Sequence, residues 1–146
     1  MLRLSTKARY ATRIAVRLAL AVEGDNAVSR RQIAAAEDIS MDYLEQILIQ
    51  LKAAGLVVSR RGIHGGYRLA RAPTSISVMD VVEATDGAVA MCPCLERACE
   101  RRERCTTYEL WRRANESLCA EFSRTDIAAL AAGADDGANA GQNYVI

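Results

Sequence analysis

Ser29-Arg-Arg-Gln-Ile-Ala-Ala-Ala-Glu-Asp-Ile-Ser-Met-Asp-Tyr-Leu-Glu-Gln-Ile-Leu-Ile-Gln-Leu-Lys-Ala-Ala-Gly55 reads as two helices with a break between them. Ser29 is placed to cap a helix over Arg30 to Glu37, with Ile33 and Ala34 on its inner side. Asp38-Ile39-Ser40 interrupts that run. Ser40 then caps a longer helix, Met41 to Ala54, with apolar positions 44, 47, 48 and 51 at helical spacing and Gly55 as its stop. A short helix, a tight turn and a longer helix make a helix-turn-helix. Leu56-Val-Val-Ser-Arg-Arg61 has strand composition, Gly62-Ile-His-Gly-Gly66 is a turn, and Tyr67-Arg-Leu-Ala70 returns as a second strand. A hairpin directly behind a helix-turn-helix is a wing.

The flanks extend this module. Residues Thr6 to Val22 carry apolar side chains at 11, 14, 15, 18, 19 and 22, a helical pattern. Arg9, Arg13 and Arg17 recur every four residues on another face, a stripe suited to phosphate contact or simply to solvent. Pro73 closes the wing, and Ser77 with Asp80 forms a capping box for a short helix ending at Asp86-Gly87. Thr106 with Glu109 signals a second box. It opens a helix through Phe122 with apolar positions 111, 114, 118 and 122, the spacing of a helix packed along a partner helix. Thr125 to Ala132 suggests a last short helix. Residues 133–146, rich in Gly, Asn, Asp and Ala, have little to bury and are expected to be disordered. The expected fold is mainly α with a small β-hairpin: a winged helix-turn-helix plus a long dimerisation helix. The division expected is 1–87 for the winged domain, 88–105 for a cysteine-rich loop, 106–132 for the dimerisation helix and short C-terminal helix, and 133–146 for a tail.

A recognition helix needs a buried face to fix its angle and a polar face to reach base edges. Opposite Leu44, Ile47, Leu48 and Leu51 stand Asp42, Tyr43, Glu45, Gln46 and Gln50. Gln46 suits adenine. Glu45 suits the cytosine amino group and acts more as a discriminator than as a source of affinity, because an acid facing DNA costs electrostatic energy. Arg60 and Arg61 precede the glycine-rich tip, where arginine suits a narrow minor groove. The DNA contacts expected are therefore Tyr43, Glu45, Gln46, Gln50, Arg60 and Arg61, with double-stranded DNA as the partner. Charge agrees: residues 1–72 carry a balance of +6 and residues 73–146 a balance of −5, so only the front half suits an anionic surface.

With 51% apolar residues the chain has material for a modest core, and no run of 18 apolar residues suggests a membrane span. The N-terminal stretch, punctuated by Arg and Lys, does not resemble an export signal, so a cytoplasmic location is expected. In that reducing compartment clustered cysteines bind metal more often than they form disulfides. Cys92, Cys94, Cys99 and Cys105 fall within one short polar loop, which suits a soft metal ion or an iron–sulfur cluster. Arg97, Arg101, Arg102 and Arg104 are expected to depress thiol pKa values there, opposed by Glu96, Glu100 and Glu103. Cys119, in the long helix beside Leu118, reads as a buried structural cysteine. The sequence shows no Ser/His/Asp arrangement, no Cys/His pair and no phosphate-cradling glycine loop, so catalysis is not expected.

Met1-Leu-Arg-Leu-Ser-Thr-Lys-Ala-Arg-Tyr-Ala11, Ile39-Ser-Met-Asp-Tyr-Leu-Glu-Gln-Ile-Leu48, Leu51-Lys-Ala-Ala-Gly-Leu-Val57 and Arg61-Gly-Ile-His-Gly-Gly-Tyr-Arg-Leu69 resemble the Rrf-two superfamily of winged helix-turn-helix regulators, the IscR- and NsrR-like iron–sulfur regulators. The likeness continues through Val78-Met-Asp-Val-Val-Glu-Ala-Thr-Asp-Gly87 and the cysteine loop to Trp111. It implies a homodimer built on the helix from Thr107 to Phe122, and DNA contact at Tyr43, Glu45, Gln46 and Arg61. The IscR-like pattern is three cysteines with five residues between successive ones, then a histidine. Cys99 and Cys105 keep that gap; Cys92 leaves six intervening residues and Cys94 four, and Tyr108 stands at the histidine position. The carboxylate that NsrR-like members carry near the N-terminus has no counterpart in Thr6-Lys-Ala-Arg-Tyr10. The expected cofactor is an iron–sulfur cluster on Cys92, Cys94, Cys99 and Cys105, with 2Fe–2S favoured over 4Fe–4S and zinc the alternative.

These readings converge on a DNA-binding transcription regulator that senses iron–sulfur, redox or nitrosative status. One alternative is the same regulator with structural zinc or a thiol–disulfide switch. Another, of a different class, is an iron–sulfur redox carrier whose helix-turn-helix serves protein contact.

Overall fold

A computed structural model describes residues 4–21 and 27–140, with backbone only for 135–140. The helices are α1 (Thr6–Leu20), α2 (Arg30–Glu37), α3 (Met41–Ala53), α4 (Val78–Asp86), α5 (Pro93–Glu96), α6 (Tyr108–Arg124) and α7 (Ile127–Ala140), and the strands are β1 (Val57–Arg60) and β2 (Gly66–Leu69). Serine hydroxyls start four of these helices. Ser5 accepts from the amide of Ala8, Ser29 from Gln32, Ser40 from Tyr43 and Ser77 from Asp80, so each satisfies an amide that the first turn leaves unpaired. At Ser29 and Ser77 the box closes, with Gln32 and Asp80 accepting from the cap residue's own amide. The turn between α2 and α3 is made by Asp38 in the left-handed region (φ 52°, ψ 51°), which Asp tolerates better than most residues.

The core forms where the apolar faces of α1, α3 and α4 meet. Ile14, Leu18, Ile33, Leu44, Ile47, Leu51, Ile76 and Val81 are at most 1% exposed. Each such aliphatic side chain contributes about 1.5–3 kcal/mol of burial. The hairpin pairs antiparallel from Val57 with Leu69 to Arg60 with Gly66; Val57 and Leu69 are buried, and half-buried Tyr67 packs against the same core. A further pairing braces it. Val28, just before α2, donates its amide to Tyr67 at 2.9 Å, and Tyr67 donates back to Val28 at 2.8 Å. The wing is thereby tied to the start of the helix-turn-helix as well as to its end.

The C-terminal part departs from the sequence expectation at three points. The long helix begins at Tyr108, and its cap residue is Thr107, without a side-chain cap bond. Glu109, expected to complete a box with Thr106, is instead engaged by Arg112. The last helix runs on to Ala140, where 133–146 had read as unstructured chain; residues 141–146 lie outside the described residues. The cysteine loop also contains order that the sequence did not announce: the turn of α5, started by Pro93, and a 3-10 turn at Arg102–Arg104. Ile127 is fully buried, and its amide bonds the carbonyl of Ile76 at 2.9 Å, so α7 folds back onto α1 and closes the winged domain. No residue of α6 is buried. Among the described residues no helix is long and apolar enough to cross a membrane.

Candidate functional site

Two regions carry the chemistry: the exposed face of α3 with the wing, and the loop from α4 to α6. On α3, Asp42, Glu45 and Gln46 are exposed, Tyr43 is half-buried, and its ring meets Tyr10 edge-on at 5.9 Å between centroids. Glu45 Oε2 lies 3.2 Å from the guanidinium of Arg30, on the first turn of α2. That exposed pair offsets part of the negative charge of Glu45. Gln50 is half-buried, and its amide oxygen is sealed from solvent with no hydrogen-bond partner. It is therefore placed less favourably for base contact than Glu45 and Gln46. Lys52 donates to the Ser59 hydroxyl at 3.2 Å, fastening the end of α3 to β1. Arg60 and Arg61 are exposed at the start of the tip, which closes with a bond from the Gly65 amide to the Gly62 carbonyl at 2.9 Å.

The arginine stripe of α1 proves to be structural in part. Arg13 and Arg17 each place Nε 2.6 Å from a carboxylate oxygen of Glu37, which is 3% exposed. Their charge holds α1 to the end of α2, so it is largely committed within the fold. Sequence reading missed Glu37 because nothing local links it to residues twenty or more positions earlier.

In the loop, Cys92, Cys94, Cys99 and Cys105 are all half-buried and unbridged. Cys92 and Cys94 bring their sulfurs to 3.1 Å. The neighbouring Cys92 pushes the Cys94 thiol above its ordinary pKa, by hydrogen bond and by charge. Cys105 goes the other way. The Thr107 hydroxyl stabilises its thiolate most, followed by the amides of Thr107 and Tyr108 at the start of α6, with Arg101 a smaller contribution. At Cys105 the loop arginines thus matter less than the sequence suggested. Arg102 instead lies over the ring of Tyr108, 4.8 Å from its centroid. Four thiols in one short loop have the donor chemistry for a soft metal. The geometry brings two of them into contact, and among the described residues no group of three or more His, Cys, Asp or Glu converges. His64 is remote, exposed on the wing.

One residue on α6 holds the start of this loop. Asn115 accepts from the Met91 amide at 2.8 Å and donates to the Val89 carbonyl at 3.2 Å. An Asn on the apolar seam of an amphipathic helix was the available signal. Cys119 is half-buried rather than buried, facing Asn115 and Val89.

The helix-turn-helix, its braced wing and the appended amphipathic helix define a winged-helix DNA-binding transcriptional regulator. A family model described as Rrf2, iron-dependent transcriptional regulator, matches residues 4–133. The chain belongs to the Rrf2 family. It is 46% identical over 89 residues to the HTH-type transcriptional regulator IscR of Cereibacter sphaeroides, a match spanning 60% of this chain and 57% of that protein. The solved structure of CymR (YrzC), the global cysteine regulator of B. subtilis, superposes with a TM-score of 0.77 at 35% identity, covering 90% of this chain and 98% of that one. IscR of T. potens gives a TM-score of 0.73 at 29% identity, covering 99% and 94%. The first two of these relatives are named as regulators, not enzymes.

Proposed function

We propose that the protein acts in the cytoplasm as a homodimeric transcription regulator whose grip on DNA depends on an iron–sulfur cluster held by its own cysteines. The observation that carries this reading is the position of the thiols. Cys92, Cys94, Cys99 and Cys105 occupy the segment joining α4, part of the winged domain, to α6, none of whose residues is fully buried within one protomer. Leu110 and Trp111 on α6 are 51% and 41% exposed, apolar surface that a second copy would cover. A cofactor bound at that joint is placed to bias the angle between the two winged domains, and hence their fit to two half-sites.

In this reading Tyr43, Glu45, Gln46, Arg60 and Arg61 meet DNA, with Gln50 at the margin. The four loop thiolates hold the cluster; when bound, it supplies sensitivity to oxidation, nitrosation or iron supply. Asn115 anchors the loop against α6 through Val89 and Met91. The acid of Glu45, moderated by Arg30, penalises mismatched bases more than it adds affinity.

A second reading has one observation in its favour. The 3.1 Å contact between Cys92 and Cys94 suits a pair of thiols that closes to a disulfide on oxidation; structural zinc is the other alternative that the donor set allows. Absorption of anaerobically purified protein in the near-ultraviolet and visible, with iron, sulfide and zinc analysis, separates the two. Iron and sulfide with a visible chromophore, lost in Cys99→Ala or Cys105→Ala while a folded dimer remains, supports the cluster. A colourless zinc protein, or one without metal, supports the alternative.

A further inference from the structure

Ile49 is the most exposed large apolar side chain on any helix of the described residues, at 61%. It lies in the second half of α3, on the exposed side of the helix. It follows Leu51 backwards by two residues, about 200° around the helix, so it points away from the core that Leu51 anchors. Asp42, Glu45, Gln46 and Ile49 stand at i, i+3, i+4 and i+7 and form one exposed stripe. One turn further, Lys52 bonds Ser59 of β1, which sets Ile49 between the polar part of α3 and the wing. The helix packs its other sides on α1, α2, α4 and β1. An apolar residue centred on this face matches one feature of the major groove, the 5-methyl group of thymine.

We propose that Ile49 reads a thymine methyl in each half-site and so determines part of the sequence preference. The inference rests on the reading that α3 enters the major groove. Asp42, Glu45 and Gln46 offer polar contacts to base edges; Ile49 adds a contact that excludes water from a methyl, and cytosine offers no methyl at that place. The energy comes from desolvating both apolar groups, and it is lost when either is removed.

The test uses full-length, anaerobically purified protein and a duplex selected from a random-sequence pool by that protein. Each thymine of the duplex is replaced in turn by uracil, which keeps base pairing and removes only the methyl. At one position per half-site the substitution weakens binding about fourfold, the worth of one desolvated methyl group. Ile49→Ala binds the thymine and uracil duplexes equally, and Ile49→Val retains part of the difference. Because Ile49 is exposed, neither variant disturbs the core. Uracil without effect at every position, or an effect that persists in Ile49→Ala, overturns the inference. Gln46→Ala and Arg61→Ala serve as controls for the interface itself. If both weaken binding while uracil does not, only the role of Ile49 is wrong; if neither does, the placement of α3 on DNA falls with it.

Discussion

Replacing Gly66 by alanine tests whether the wing is held by Val28. Gly66 opens β2 at φ +156°, and a Cβ there would sit 2.5 Å from the carbonyl carbon of Val28 and 2.9 Å from the nitrogen of Ser29. Both are backbone atoms, so no rotamer change relieves the clash; the Val28 segment must move. The movement breaks the two bonds between Val28 and Tyr67, at 2.9 and 2.8 Å. It also disturbs Ser29, whose hydroxyl caps α2. Two hydrogen bonds are worth about 0.5–1.5 kcal/mol each, and a compromised cap adds up to about 1 kcal/mol. The expected loss is about 1–4 kcal/mol, within the stability of an ordinary domain, so the variant still folds. Urea unfolding followed by circular dichroism reads the stability, and a duplex titration reads the wing. Gly66→Ala should unfold at lower urea and lose at least as much DNA affinity as Arg61→Ala, because the arginines lose their fixed aim. Stability within 0.5 kcal/mol of wild type together with unchanged affinity would refute the brace.

Three further outcomes follow from the same geometry. Glu37→Gln should cost about 1–3 kcal/mol in urea unfolding. That is less than the ~3–5 kcal/mol of a pair buried on both sides, because Arg13 and Arg17 are 57% and 39% exposed and rehydrate; a loss below 0.5 kcal/mol contradicts the triad. In apo protein at neutral pH, limiting iodoacetamide should label Cys105 before Cys94, since the Cys105 thiol ionises lower and the Cys94 thiol higher than an ordinary cysteine. The gap should narrow as pH rises above the ordinary thiol range, where Cys94 also ionises; mapping by mass spectrometry that finds Cys94 labelled first counts against the assignment. Arg61→Ala should weaken duplex binding roughly tenfold and leave any visible spectrum unchanged, and a spectral change would tie the wing to the cysteine loop in a way the fold does not show.

What could be read directly from the chain was local. Ser29 and Ser40 before apolar runs, and Ser77 with Asp80, announce helix starts through contacts three residues apart, and α2, α3 and α4 begin where those signals lie. The buried face of α3 was legible because Leu44, Ile47, Leu48 and Leu51 share one period. Hidden from the sequence were contacts whose partners lie far along it. The Val28–Tyr67 pairing involves single residues and leaves no alternation to detect. Glu37 looks like any solvated helix acid until Arg13 and Arg17 close over it. The signal at Thr106 misled because Arg112 competes for Glu109 from one turn away. The extension of α7 was masked by Gly133 and the Asp and Gly residues beyond it, whose low helix propensity is offset by the alanines among them and by the anchoring of Ile127 and Ala131. In the cysteine loop the sequence named the donors but not their grouping, because spacing in a non-periodic segment does not fix which sulfurs meet.

The central claim is that a cluster on the loop thiols is felt at the DNA surface. Its most direct test is an anaerobic titration of one selected duplex with the cluster-loaded and apo forms of the same dimeric preparation. The account predicts affinities that differ by roughly fivefold or more, the lower range of ordinary coupling between two sites. Identical binding curves for the two forms, with iron and sulfide present only in the first, would contradict it.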